Sequence, residues 1–310
     1  MVRMRTDCVK PHVLYERVRT YRTERALQIH NEPRFPLIPR VERLHMPTST
    51  PSDAQKAMYR LIGPDASPDH PPRPGNPLAP LKVGNRALSP EHVVELLTPF
   101  MSDSRLQGIR NVVAGRTRTV VPVIEGIVNT GNVSAVMRST EAMGYQDLHV
   151  IATDGRYKHS ERTAKGAQRW LDVHQWEDSV SCVEHLQDRG YRVAAMYLDD
   201  KAVPIESIDF TTPTALVFGN ERDGVSDNLR AAADLSCVIP MSGFTESFNI
   251  SVAAAIGLYH ARRHRIERQG HHADLSEAEQ TRLVARLCMR SVTKAESVLK
   301  RVLREQGETS

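Results

Sequence analysis

The chain carries the run IPMSGFTESFNISVAAA at residues 239–255. We predict a strand over 237–241 and a helix over 247–268, with polar Ser247 and Asn249 where the turn enters the helix. Open parallel sheets bind ligands where strands end and loops turn into helices, so this junction is a candidate site. The small residues of the helix favour close packing, either in a subunit interface or on the helix's own sheet.

A second strand-end loop lies upstream, with the sequence GNERDGVS at residues 219–226. It imitates the phosphate-binding pattern GxxxxGK[ST], but Val225 occupies the lysine position, which disfavours nucleoside triphosphate hydrolysis. No GxGxxG follows a strand, which disfavours dinucleotide binding. Taken alone, this loop is equally consistent with a glycine-rich turn into a helix.

A third loop and helix start read NTGNVSAVMR at residues 129–138. We predict Asn132 as the helix N-cap, which leaves the first amides free to meet an anion. Arg138 follows within two turns of the same helix. Taken alone, the pattern is also explained by helix capping and a surface arginine.

The segment around these loops alternates strand-like and helix-like stretches. The predicted strands cover 120–127, 148–153, 191–198, 214–219 and 237–241, and the predicted helices cover 133–143, 180–189, 226–233 and 247–268. Gly144 and Gly190 follow two of these helices, where a left-handed cap favours glycine. The alternation predicts an α/β fold with a mostly parallel sheet covered by helices on both faces.

The regions on either side differ in composition. Prolines crowd residues 46–80, so we predict that 1–85 is an extension with a flexible linker. We predict a basic helical segment over 86–118, with a helix starting at Ser89 and another over 104–113, then the main domain over 119–269. Residues 270–310 form a C-terminal extension with one long helix over 275–304.

Composition limits the classes of protein. The chain has 310 residues, 40% hydrophobic and 25% charged, and no apolar run of the roughly 20 residues that a membrane span needs. Its four cysteines show no CxxC spacing, so we expect neither a metal cluster nor disulfides, and we expect a reducing compartment inside the cell. A net charge of +4 permits a polyanionic partner. The N-terminus is rich in arginine, as organelle transit peptides are, but it also contains acidic residues, which such peptides usually lack. We therefore expect the cytoplasm, the mitochondrion or a plastid as the compartment.

In this order and at these spacings, the three loops resemble the three motifs of the SPOUT superfamily, specifically the SpoU or TrmH branch of tRNA and rRNA ribose 2′-O-methyltransferases. The resemblance covers about 121–268. It implies a C-terminal trefoil knot whose loops form the S-adenosylmethionine pocket, and a homodimer with active sites near the interface. Ordinary topology rules would not predict a knot.

The motifs also imply roles for individual residues. The resemblance implies catalytic roles for Arg138, Asn132, Glu221, Ser247 and Asn249, and cofactor contacts for Gly219, Ile239, Phe248 and Met241. It implies RNA contacts for Arg262, Arg263 and Arg265. Relatives also carry an upstream basic helix that grips RNA, and Arg105, Arg110, Arg116 and Arg118 occupy the comparable stretch here.

The resemblance implies 2′-O-methylation of RNA, with tRNA as the expected substrate and a D-loop guanosine as the first candidate. Ribosomal RNA is the nearest alternative, although many ribosomal members carry a folded N-terminal domain where this chain has a linker-like region. An assembly factor that binds RNA without catalysis is an alternative of another class. No metal is expected, because a sulfonium is already a good leaving group.

Overall fold

The computed structural model describes residues 81–126, 129–152, 164–220 and 222–306. A seven-stranded sheet forms its centre, with strand order β5-β4-β3-β8-β6-β9-β7 and every neighbouring pair parallel. Its strands are β3 (Val120–Glu125), β4 (Asp147–Ile151), β5 (Asp172–Trp176), β6 (Arg192–Met196), β7 (Val203–Pro204), β8 (Thr214–Phe218) and β9 (Leu235–Val238). A separate antiparallel hairpin pairs β1 (Leu81–Val83) with β2 (Arg86–Leu88).

Eight α-helices accompany these strands in the described residues. They are α1 (Pro90–Leu97), α2 (Asp103–Ala114), α3 (Thr130–Ala142), α4 (Ser179–Gln187), α5 (Asp227–Ala232), α6 (Ile250–Gln269), α7 (Glu277–Ser291) and α8 (Ala295–Glu305). None of the helices in this part of the chain has the length and apolarity needed to cross a membrane.

Helices cover both faces of the sheet, as predicted. Successive strand residues point to opposite faces, so Leu216 and Phe218 of β8 pack with α3 and α6, while Ala215 and Val217 pack with α4 and α5. Gly257 brings α6 close to the sheet, since a Cβ there would lie 3.0 Å from Leu216. The α/β architecture is confirmed, and the C-terminal knot stays a prediction.

A second hydrophobic core joins the two ends of the described chain. Apolar residues of β1, β2, α1 and α2 pack with those of α7 and α8 in one cluster. β1 therefore lies inside the segment 1–85 that we predicted to be flexible, and the predicted linker 46–80 lies outside the described residues. The first predicted helix does begin after Ser89, whose side chain accepts a hydrogen bond from the His92 amide.

Several predicted elements need correction. The single helix expected over 275–304 is two helices, because Val292 is extended and Lys294 takes a left-handed conformation with φ 54°. The break turns α8 back onto α1. β5 and β7 were not predicted, because β5 is a largely polar edge strand and β7 has only two residues. Gly144 and Gly190 have the predicted left-handed conformation.

A network of charged side chains fastens α7 to the edge of the sheet. Asp172 of β5 is buried and accepts hydrogen bonds from Arg118, Arg286 and Arg290 at 2.6 to 2.8 Å. Arg118 also reaches Asp147 of β4 at 2.5 Å. Burial, the largest single influence, would raise the pKa of both carboxyl groups, but the neighbouring groups together, Arg118 first among them, hold both pKa values below their ordinary range. Both aspartates are therefore charged at neutral pH.

We expect Asp172→Asn to lower the free energy of unfolding by about 2 kcal/mol, because three arginines lose their shared carboxylate. Urea unfolding followed by circular dichroism measures this. The difference from the wild type should shrink as the pH falls below about 4, because Asp172 is protonated first in the unfolded chain and then, at its lower folded-state pKa, in the native protein. Glu305→Gln is the control, because it removes an exposed pair with Arg301 and should cost less than about 0.5 kcal/mol. Equal losses in the two variants would contradict this account.

Candidate active site

The three loops singled out in the sequence all follow carboxyl ends of strands in the parallel sheet. β3 leads into residues 126–132, β8 into 219–226 and β9 into 239–249. β3 and β8 are direct neighbours, with Ile124 opposite Phe218. β6 lies between β8 and β9, with Met196 opposite both Phe218 and Cys237. Parallel pairing therefore brings the three loops to the same side of the sheet, where the strands have their carboxyl ends.

The first loop ends in a capped helix, but the cap is not the predicted residue. Asn129 is the N-cap of α3, and its side chain accepts a hydrogen bond from the Gly131 amide at 2.8 Å. Asn132 lies within the first turn. Arg138, two turns along α3, is exposed and makes no hydrogen bond or ion pair within the described part of the chain. Its guanidinium is available for a ligand.

A side-chain contact joins the first loop to the third. Asn249 Nδ2 donates to Asn132 Oδ1 at 3.4 Å. Asn249 is also the N-cap of α6, where its side-chain oxygen Oδ1 accepts hydrogen bonds from the Ser251 amide and hydroxyl at 2.9 and 2.6 Å. The helix cap thus fixes the direction in which the Asn249 amide points, and it holds the start of α6 beside the start of α3.

A buried carboxylate joins the first loop to the second. Glu125, the last residue of β3, accepts hydrogen bonds from the amide and hydroxyl of Ser226 at 2.8 and 2.6 Å and from the Ser179 hydroxyl at 2.5 Å. Ser226 is the N-cap of α5. Sequence analysis missed Glu125. The sequence pattern that could have identified it is an acidic residue at the end of an otherwise apolar strand, followed by a glycine. That glycine, Gly126, has a left-handed conformation with φ 64°.

The second loop is a tight turn that leaves no room for a side chain at its first residue, Gly219. Asn220 and Gly224 exchange two backbone hydrogen bonds of 3.0 Å. A Cβ on Gly219 would lie 2.1 Å from the carbonyl carbon of Gly224, so only glycine fits there. The predicted catalytic residue Glu221 lies outside the described residues.

The third loop exposes apolar side chains. Met241, Phe244 and Phe248 are 37%, 108% and 41% exposed, and Ser247 is exposed beside them. No hydrogen bond ties residues 241–248 to another described part of the chain. Ile239 is half-buried against the sheet core. The loop therefore offers apolar surface and free backbone donors and acceptors to a ligand.

The predicted basic residues occupy different environments. Arg105 and Arg110 are exposed on α2, Arg263 is exposed on α6 and pairs with Glu267, and Arg262 is half-buried. Arg265 is fully buried and donates to Phe210 O, His272 O and the Asp274 carboxylate. This burial does not fit the predicted RNA contact, so we remove Arg265 from the candidate surface.

Two more arginines of the basic stretch are structural. Arg116 is 1% exposed and paired with Glu141, and Arg118 belongs to the Asp147–Asp172 network.

In the described residues no three His, Cys, Asp or Glu side chains converge as metal ligands, and Cys182, Cys237 and Cys288 are free thiols.

Comparisons with known proteins agree with the positions of the three loops. Residues 119–259 match the sequence model of the SpoU rRNA Methylase family. The tRNA (guanosine(18)-2'-O)-methyltransferase of Escherichia coli is 33% identical over 188 residues, which are 59% of this chain and 82% of that protein. The protein of the same name from Aquifex aeolicus is 32% identical over 195 residues, 62% of this chain and 92% of its own.

A solved structure is also similar to this chain. The crystal structure of the A. aeolicus TrmH/SpoU tRNA modifying enzyme matches with a TM-score of 0.58 and 31% sequence identity. The match covers 62% of this chain and 98% of that one.

We expect Gly219→Ala to lower the free energy of unfolding by about 2 kcal/mol or more, because the added methyl group overlaps the Gly224 backbone. Urea unfolding measures the loss. Gly108→Ala in α2 is the matched control, because a Cβ there meets nothing within 4 Å. Alanine should stabilise that helix by up to about 1 kcal/mol. A Gly219→Ala protein as stable as the wild type would contradict the turn geometry.

Proposed function

Because the chain belongs to the SpoU methylase family, we propose that it transfers a methyl group from S-adenosylmethionine to a ribose 2′-hydroxyl of tRNA. The observation that carries the proposal is the contact between Asn132 and Asn249, which holds two strand-end loops together with Arg138 exposed on the adjoining helix. Relatives at 32 to 33% identity act on guanosine 18 of tRNA by name, so we propose the D-loop guanosine as the target. A tRNA substrate implies a site of action inside the cell.

The third loop has the properties that a nucleoside cofactor requires. Met241 and Phe248 offer apolar surface, while the backbone of residues 241–248 is free to hydrogen bond. Gly219 follows β8 and Ile239 follows β9, at the same edge of the sheet, and both can offer backbone contacts to an adenosine. We propose that these four residues hold S-adenosylmethionine. When bound, it supplies an electrophilic methyl group whose C–S bond breaks with the electrons leaving on sulfur.

Arg138 is the proposed catalytic residue. The arginine guanidinium stays protonated in proteins, so Arg138 acts as a cation rather than as a free base. Its planar fork can hold an RNA phosphate and stabilise the negative charge that grows on the ribose oxygen as the new C–O bond forms. The hydroxyl proton passes to the phosphate oxygen that Arg138 orients. Asn132, Ser247 and Asn249 position this arrangement, and we propose that Glu221 keeps the second loop in register.

We propose that the exposed arginines bind the RNA backbone. They are Arg105 and Arg110 on α2 and Arg263 on α6, together with half-buried Arg262 on α6. Each would neutralise a phosphate, so binding should weaken as salt concentration rises.

Arg138→Lys should lower kcat at least 100-fold, because lysine keeps the charge but loses the bidentate fork. The assay incubates the protein with radiolabelled S-adenosylmethionine and tRNA, then maps the modified ribose. A tRNA with a 2′-deoxy guanosine at position 18 should accept no label. Arg189→Ala, an exposed arginine at the end of α4, is the control and should retain wild-type turnover. Full activity of the lysine variant would contradict the proposed role, and label only in rRNA fragments would favour the ribosomal substrate.

We propose that the protein is a homodimer that pairs through α6. Val252, Ile256 and Tyr259 are 44%, 36% and 55% exposed, and their spacing of four and three residues puts them on one side of the helix. This apolar stripe begins beside the third loop. A partner that covered it would also approach the proposed cofactor pocket.

Ile256→Asp should shift the protein from dimer to monomer in analytical ultracentrifugation, because it places a charge in the apolar stripe. The same change should abolish methyl transfer. Ser297→Asp at the exposed side of α8 is the control and should leave the dimer intact. A wild-type protein that sediments as a monomer at micromolar concentration would contradict the proposal.

A further inference from the structure

A small cleft lies between α2 and α7, remote from the three strand-end loops. Its volume is about 130 Å³, and its lining includes Arg105, Gly108 and Val112 of α2, Leu287 of α7 and the ring of Trp170. Trp170 follows a short 3-10 turn, Ala167–Arg169, just before β5. The ring is half-buried, with its apolar part packed against the helical core. The cleft therefore has an apolar floor and an open side.

Two arginines flank the ring. The Cζ atoms of Arg105 and Arg169 each lie 5.8 Å from the centre of the Trp170 ring. Arg169 is oriented by a hydrogen bond of 3.2 Å to Arg290 O. The Arg105 side chain is exposed and makes no hydrogen bond or ion pair within the described residues, and no residue lining the cleft is acidic. The cleft combines an aromatic face with positive charge.

Gly108 leaves the cleft open. It lies within α2, where glycine has a lower helix propensity than alanine. At Gly219 and Gly257 neighbouring atoms exclude a side chain, but a Cβ on Gly108 would meet nothing within 4 Å. The packing of the protein does not account for glycine here. Gly108 lines the cleft, so a side chain at this position would occupy part of it.

We propose that the Trp170 cleft binds an unstacked nucleotide of the RNA substrate, with the base against the tryptophan ring and its phosphate held by the arginines. Bases stack on both aromatic rings and guanidinium planes, and arginine binds phosphate bidentately. This inference rests on the proposed RNA methylation.

The nucleotide in this cleft is not the methylated one. Trp170 lies just before the amino end of β5, whereas the proposed catalytic loops follow the carboxyl ends of strands in the same parallel sheet. The two sites are therefore separated by about the length of a five-residue strand, about 17 Å. Binding there contributes to RNA affinity and not to the chemical step. Changes in the cleft should therefore alter KM for RNA while kcat and cofactor binding stay constant.

The chain has two tryptophans, which supply a matched pair of variants. Trp170→Leu should raise KM for tRNA about tenfold with kcat within twofold of the wild type, because it removes the stacking face. Trp176→Leu on β5 should leave both values unchanged. Gly108→Ala should raise Tm and yet weaken tRNA binding several-fold, which a purely structural role for the glycine would not produce.

Fluorescence provides a readout that does not depend on activity. In Trp176→Phe, the remaining Trp170 emission should be quenched as tRNA is added, and S-adenosylmethionine alone should leave it unchanged. Unchanged emission with saturating tRNA would overturn the proposal, as would a Trp170→Leu protein with wild-type KM. If the wild type methylates no RNA but Trp170→Leu weakens tRNA binding in a filter assay, the cleft stands and the proposed function fails.

Discussion

The parallel direction of the seven strands is the constraint from which the site follows. Parallel strands all end at one edge, so three loops far apart in sequence emerge side by side. The edge is then locked by polar contacts, with Glu125 tying β3 to the start of α5 and Asn249 reaching Asn132. Ser226 and Asn249 are the N-caps of α5 and α6, so the side chains that begin these helices also position the loops. Stability and site geometry therefore depend on the same few side chains.

A second set of charges determines how the ends of the described chain attach to the sheet. The carboxylates of Asp172 and Asp147 form ion pairs with Arg118, Arg286 and Arg290 at the edge of the sheet. Buried carboxylates require such partners, because an unpaired charge in the interior is costly. The network keeps α7, and with it the floor of the Trp170 cleft, in a constant position relative to the sheet. The RNA contacts proposed for α2 and the cleft are therefore made by residues that pack against a helix fastened to the sheet.

The sequence was a good guide where local chemistry dominates. Apolar runs located five of the seven strands, and glycine identified the left-handed ends after α3 and α4. It was a poor guide to exposure. Arg116 and Arg265 look like RNA-binding residues beside Arg110 and Arg263, but they are buried and paired with Glu141 and Asp274, which lie 25 and 9 residues further along the chain. Edge strand β5 was missed because most of its residues are polar, so the apolar runs that identify the other strands are absent there.

The sequence by itself determined the α/β class, the three strand-end loops and the family to which they belong, because those depend on residue type and spacing along the chain. Only the tertiary structure decided that Asn129 rather than Asn132 caps α3, that α7 and α8 share a core with α1 and α2, and that Trp170 faces Arg105. The cap is a local hydrogen bond from the Gly131 amide, whereas the shared core depends on packing between segments more than 200 residues apart, such as β1 and α8. Local sequence carries no record of which distant partner satisfies a buried charge or fills a gap.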